Sequence, residues 1–145
     1  MNKLIDYHPG DIVSIPLTDG RLAIGRIYDD ATIAIFNRVD TAVPALPEIV
    51  RCEVVFFAAF FDTSIRNGDW PILGNLPFDH SEDRWPPARF VRDILDPLSF
   101  QIYERGNLRP ADVEEIKGLD EFLMYKPDQL VKKIENELLE TDPTM

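Results

Sequence analysis

The sequence is poor in cysteine, histidine and positive charge, and each shortage narrows what the protein can do. Its one cysteine, Cys52, precludes an intramolecular disulfide and fits a reducing compartment. One Cys and two distant histidines, His8 and His80, cannot furnish a standard structural zinc site. Neither histidine lies in a recognisable motif for nucleophilic catalysis. Lys and Arg number 15 against 26 Asp and Glu, a net charge of −11. Neutralising phosphates requires a basic face, so nucleic acid is excluded as a direct partner, and an anionic membrane surface is disfavoured for the same reason. The longest apolar run, VVFFAAFF at 54–61, is far shorter than the roughly 20 residues a spanning helix needs. The N-terminal MNKLIDYHPGD lacks the apolar centre of a signal peptide. With 7 glycines, none arranged as a phosphate loop or dinucleotide fingerprint, nucleotide binding finds no support. These shortages predict a soluble, cytoplasmic protein with no cofactor and no metal.

What is present suits one folded domain over residues 1–145. Apolar residues make up 45%, and 9 Phe, 4 Tyr and 2 Trp supply a core. Strand patterns fill the first two-thirds. DIVSIP (11–16) is β-branched and closed by proline, Thr18-Asp19-Gly20 supplies a turn, and 21–28 alternates with Leu22, Ile24 and Tyr28 on one face. Gly25 interrupts that strand, which predicts a bulge or a close backbone approach. Asp29-Asp30 turns the chain into ATIAIF (31–36), completing a three-stranded meander. Pro44 and Pro47 predict a loop over 38–51. Residues 51–61, apolar on both faces in the middle, predict either a central strand covered on both sides or a barrel strand. Asn67-Gly68 predicts a hairpin into a strand at 70–73. Residues 77–87 (PFDHSEDRWPP) read as an irregular polar loop, and 89–92 and 99–104 as weaker strands. In the last third, Pro110 and Gly118 bracket a short helix with Val113 and Ile116 facing inward. Pro127 opens a second helix to about 140, with Leu130, Val131, Ile134 and Leu138 as its apolar stripe. Residues 111–145 hold ten acids and four bases, net −6, against −5 for 1–110.

Few residues suggest chemistry. Asp79, His80, Glu82 and Asp83 could offer oxygen to a hard cation, but lack the spacing and glycine of a calcium loop, and read better as a solvated acidic loop. The pairs Asp29-Asp30 and Glu114-Glu115 are explained by turn chemistry and an exposed helix face. Cys52 reads as a small buried hydrophobe. Trp70 reads as a core anchor. Trp85, in a polar loop flanked by proline, is either an exposed binding anchor or folded back onto the body.

Two segments carry a resemblance. Gly10-Asp11-Ile12-Val13-Ser14-Ile15-Pro16-Leu17, followed by Asp19-Gly20-Arg21 and Gly25-Arg26-Ile27, is the first. Gly68-Asp69-Trp70-Pro71-Ile72-Leu73-Gly74-Asn75-Leu76-Pro77 is the second. In this order they resemble the immunity protein 26 family of bacterial polymorphic toxin systems over roughly residues 8–105. The resemblance implies a mainly β, cytoplasmic protein that protects its cell by binding a toxin encoded beside it, without catalysis. Many such toxins are nucleases with basic clefts, which an acidic inhibitor can occupy. The motif glycines and Trp70 read as structural.

The expectation is therefore an α+β domain: a strongly bent antiparallel sheet or small barrel over residues 10–105, packed by one or two C-terminal helices. The expected partner is a basic toxin domain, held by Asp79, Glu82, Asp83 and Trp85. The exposed side of the last helix, with Glu135, Glu137 and Glu140, is the second choice of face. A carboxylate- or metal-dependent hydrolase and a small-ligand-binding module are the alternatives; acids converging in a deep pocket would favour the hydrolase, a shallow acidic face the inhibitor.

Overall fold

Alternation and turn chemistry set most strand limits. The computed structural model describes residues 4–96 and 98–139. It contains the strands β1 (Asp11–Pro16), β2 (Leu22–Tyr28), β3 (Thr32–Asp40), β4 (Val54–Phe60), β5 (Ile72–Asn75), β6 (Arg89–Arg92), β7 (Phe100–Glu104), β8 (Asn107–Ala111) and β9 (Met124–Tyr125). Helices are α1 (Leu46–Ile49), α2 (Thr63–Arg66) and α3 (Pro127–Leu138), and a 3-10 turn covers Ser81–Arg84. The strands form two sheets, ordered β5-β1-β2-β3-β4-β9 and β6-β7-β8. The α+β class is as expected. The sheet is open, however: its end strands β5 and β9 pair only inward, so the barrel alternative is set aside. It is also mixed, because β9 pairs parallel to β4.

The meander β1-β2-β3 forms as the sequence predicts, with antiparallel register. The register shifts between Ala23 and Gly25, and a Cβ at Gly25 would come within 2.6 Å of Ile33 Cδ1. Gly25 thus marks both a bulge and a close approach. β3 runs on to Asp40, into the span expected as loop, and Pro47 opens the single turn α1 beyond it.

Each face of the larger sheet carries a buried apolar cluster. On one, Val13, Ile15, Ile33, Ile35 and Phe60 form the main core with Trp70, Leu130 and Ile134. Alternation sends Ile12, Ile24 and Phe36 to the other face, where they meet Ile49 of α1 and half-buried Leu46, Leu73 and Leu76. β4 contributes to both, as expected: Phe56 and Phe60 are buried in the main core, while Phe57 meets Tyr28 edge-on behind it. The α3 stripe lies on the main core, with Leu130 and Ile134 fully buried and Val131 and Leu138 partly so. Trp70 is 4% exposed, a core residue as its sequence context suggested.

Two turn readings are corrected. Asn67-Gly68 does not join paired strands. Asn67 ends α2, Gly68 takes φ +89°, and β5 goes on to pair with β1 rather than β4. The two-residue hairpin lies instead at Arg105-Gly106, where both φ angles are positive and Glu104 faces Asn107. The helix expected after Pro110 is absent. Pro110 sits in β8, which pairs only with β7, so its missing N–H leaves no ladder bond unmade. Asp112 and Glu115 do make reciprocal capping bonds, at 2.9 and 3.2 Å. The segment then closes in i→i+3 turns before Gly118, too short for a helical ladder, and leaves Val113 exposed and Ile116 half-buried. Among the described residues one C-terminal helix, α3, packs on the sheet.

A buried arginine joins the two sheets. Arg89 of β6 is 1% exposed, donates from Nη2 to Thr32 Oγ1 at 3.2 Å and lies over the Phe122 ring at 4.5 Å. Burial pulls its pKa down, opposed by the charges of Asp30, Tyr103 and Asp120. The hydroxyl of half-buried Tyr103, desolvated and bonded to Asp30, is pushed up to about 12.

Candidate partner-binding site

The second face of the large sheet is not wholly covered, and the gap is a cleft. In β2, alternation places Arg26 on the same side as Ile24 and Tyr28, an inward face where a guanidinium needs special support. That support comes from the segment after β5. Arg26 Nη2 donates to the Leu76 carbonyl and, at 3.2 Å, to that of Pro77. Its guanidinium carbon lies 3.8 Å from the centre of the Phe78 ring. Phe78 in turn meets Tyr28 edge-on, with ring centres 4.9 Å apart. Burial raises the Tyr28 pKa, with the neighbouring Arg26 charge pulling the other way. A guanidinium stacked on one aromatic and bordered by another gains from the ring quadrupoles in a partly desolvated place.

These groups floor a cleft of about 420 Å³, closed at its sides by Phe36, Val50, Leu76 and Pro77 and bordered by Asp79 and Asp83. The backbone from 79 to 85 is fixed by short bonds. Asp83 N–H donates to the His80 carbonyl, Trp85 N–H to that of Glu82, and Asp29 N–H to that of Arg84. Arg84 also turns its side chain toward Asp29, with Nε 3.4 Å from Oδ2. The one base of the turn is therefore drawn away from its acids. Asp79, Glu82 and Asp83 are exposed, and none has an ion pair among the described residues.

The structure places the residues singled out by the sequence as follows. Asp79 and Asp83 border the cleft, and Glu82 stands on the same 3-10 turn. Trp85 caps the C-terminal end of that turn and is half-buried, between the two alternatives that its context left open. The cleft floor, Arg26 and Phe78, was missed. An arginine in phase with Ile24 and Tyr28 was the available signal. The alternative acidic face is less free. Glu135 Oε2 accepts from both the backbone N–H and the hydroxyl of Thr18, at 2.9 and 2.6 Å, and Glu137 pairs with Lys133 at 3.3 Å. Glu140 lies outside the described residues.

Other chemistry is thinly represented. Among the described residues no three His, Cys, Asp or Glu side chains gather as a metal site, and no helix is long and apolar enough to cross a membrane. Cys52 precedes β4 and is half-buried rather than buried; its Sγ lies 3.4 Å from the Glu48 carbonyl and 3.5 Å from Arg38 Nη1. Two acids, Asp79 and Asp83, are among the residues that line the cleft.

A family model described as Immunity protein 26 matches residues 8–101, which takes in the cleft, its floor and the acidic turn. No curated protein and no solved structure matches the chain.

Proposed function

Because this chain belongs to the immunity protein 26 family, we propose that it neutralises a cognate toxin by stoichiometric protein–protein binding, without catalysis, using the acidic turn and the cleft beside it. The observation that carries this reading is the arrangement of Asp79, Glu82 and Asp83: three exposed carboxylates on one short segment, without ion pairs among the described residues, two of which, Asp79 and Asp83, line a cleft together with Tyr28 and Phe78. On a chain of net charge −11 such a turn speeds encounter with a basic surface. A nuclease cleft, basic because it holds phosphate, is the fitting target. The cleft itself offers a seat for one toxin side chain, and half-buried Trp85, at the C-terminal end of the acidic turn, an aromatic contact. The partner is then a protein in the same cell compartment, and neither nucleic acid nor membrane is bound directly.

Titration of the toxin domain encoded beside this chain tests the proposal. Inhibition should be complete at a one-to-one ratio and persist without turnover. Inhibition at far less than one equivalent would point to catalysis, and no inhibition would remove the proposal.

A further inference from the structure

Among the described residues, the most exposed large apolar side chains lie elsewhere, in the connection between β6 and β7. Ile94 and Leu95 are each 94% exposed and Leu98 is 85% exposed. Single exposed apolar residues are ordinary on a protein surface; three within five positions at one hairpin tip are a patch. The described residues on either side of position 97 share local hydrogen bonds. Asp93 Oδ1 accepts from the backbone N–H groups of Leu95 and Asp96, at 2.7 and 3.1 Å, and Asp96 Oδ1 from that of Leu98 at 3.1 Å. Ser99 N–H donates to the Asp96 carbonyl and Asp93 N–H to that of Ser99. The carboxylates that shape the backbone therefore also frame the apolar side chains with negative charge.

We infer that this tip is an apolar anchor for the toxin, entering a hydrophobic pocket rimmed by Lys or Arg on the toxin's surface. The inference rests on the proposed function and adds a second contact to it. Charge selects the occupant. Two copies of this chain would bring Asp93 and Asp96 of each tip together, on molecules that each carry −11. Three side chains also cover far less than the roughly 800 Å² per partner of a stable interface, so the tip alone cannot hold a homodimer. An anionic bilayer is opposed by the same two carboxylates. A basic partner with an apolar recess suits both features.

The experiment compares the full chain with a variant carrying Ile94→Ser, Leu95→Ser and Leu98→Ser, and with a second carrying Asp93→Asn and Asp96→Asn. Asn keeps the Oδ1 acceptor, so the turn survives in the second. Each is titrated against the toxin domain encoded beside this chain, and the chain alone is sedimented. The serine variant should keep its circular dichroism spectrum and melting temperature and lose at least about 100-fold in Kd, mostly through faster dissociation. The asparagine variant should bind with a weaker salt dependence. Wild-type affinity in the serine variant would overturn the inference while leaving toxin binding intact. So would a wild-type dimer that the serine changes dissolve, or an unaltered salt dependence in the asparagine variant. Absence of binding by the unmodified chain would overturn the proposed function and this inference with it.

Discussion

Truncating Ile134 to alanine probes whether the C-terminal helix is part of one folded unit with the family-matched region, which ends at residue 101. Ile134 is fully buried in α3 beside Leu130, facing the core built from β3 and β4. The change removes three carbons, about 2.4 kcal/mol at about 0.8 kcal/mol per buried group. A residual cavity adds to this, because the hydrogen-bonded strands beneath cannot close in, so a total of about 3–4 kcal/mol is expected, within the roughly 2–5 kcal/mol of such truncations. For a chain of this size each kcal/mol lowers Tm by about 2–4 °C, so Tm should fall by about 6–16 °C. Urea unfolding followed by tryptophan fluorescence and by far-ultraviolet dichroism should give coincident transitions, an unchanged slope and a lower midpoint. Lys132→Ala, on the exposed side of the same helix, should stay within about 0.5 kcal/mol. A loss below about 1 kcal/mol for Ile134→Ala, or an early separate transition in the dichroism signal alone, would refute the reasoning and make α3 an independent appendage.

Two further outcomes follow from the core and its tyrosines. Trp70→Ala, at a site 4% exposed, should cost about 3–5 kcal/mol, with any loss of protection tracking unfolding; an unchanged midpoint with lost partner binding would make Trp70 an interface residue. Tyr103 and Tyr7 are both pushed up to about 12, first by burial and then by their hydrogen bonds to Asp30 and Asp62. Since the unfolded phenol titrates near about 10, their contribution to stability should be complete below that pH and be lost as pH rises toward 12. Ultraviolet titration of phenolate should therefore show Tyr7 and Tyr103 titrating late in the folded protein, with Tyr28 also shifted upward, and Tyr103→Phe should remove one late tyrosine, whereas a single wave for all four near about 10 would contradict it.

Local signals made much of the fold legible. DIVSIP and ATIAIF alternate with period two, and the stripe from Leu130 to Leu138 repeats at helical spacing, so their elements could be read without knowing their neighbours. Asn67-Gly68 and Pro110 misled because both carry chemistry that serves two structures. Asn-Gly accepts positive φ at a helix end as readily as in a hairpin, and proline fits an edge strand as well as a helix start. Arg105-Gly106 was missed because arginine rarely takes positive φ. The acids of the site were visible as loop acids. Its floor was not, because Arg26 and the Leu76 carbonyl that holds it are 50 residues apart and meet only through the pairing of β1 with β2 and β5. The tip holding Ile94, Leu95 and Leu98 was equally opaque: apolar letters between two weak strands give no sign that they will be left in solvent.

The central claim, that the acidic turn receives a basic toxin, is tested most directly by association kinetics against ionic strength. The unmodified chain is compared with a variant carrying Asp79→Asn, Glu82→Gln and Asp83→Asn, all at exposed positions where the fold should be unaffected. Association of the unmodified chain with the toxin domain should be fast at low salt and fall steeply as salt is added, while the variant should associate more slowly with a much flatter dependence and a nearly unchanged dissociation rate. Superimposable rates for the two proteins at every salt concentration would contradict the account and place the toxin on another face.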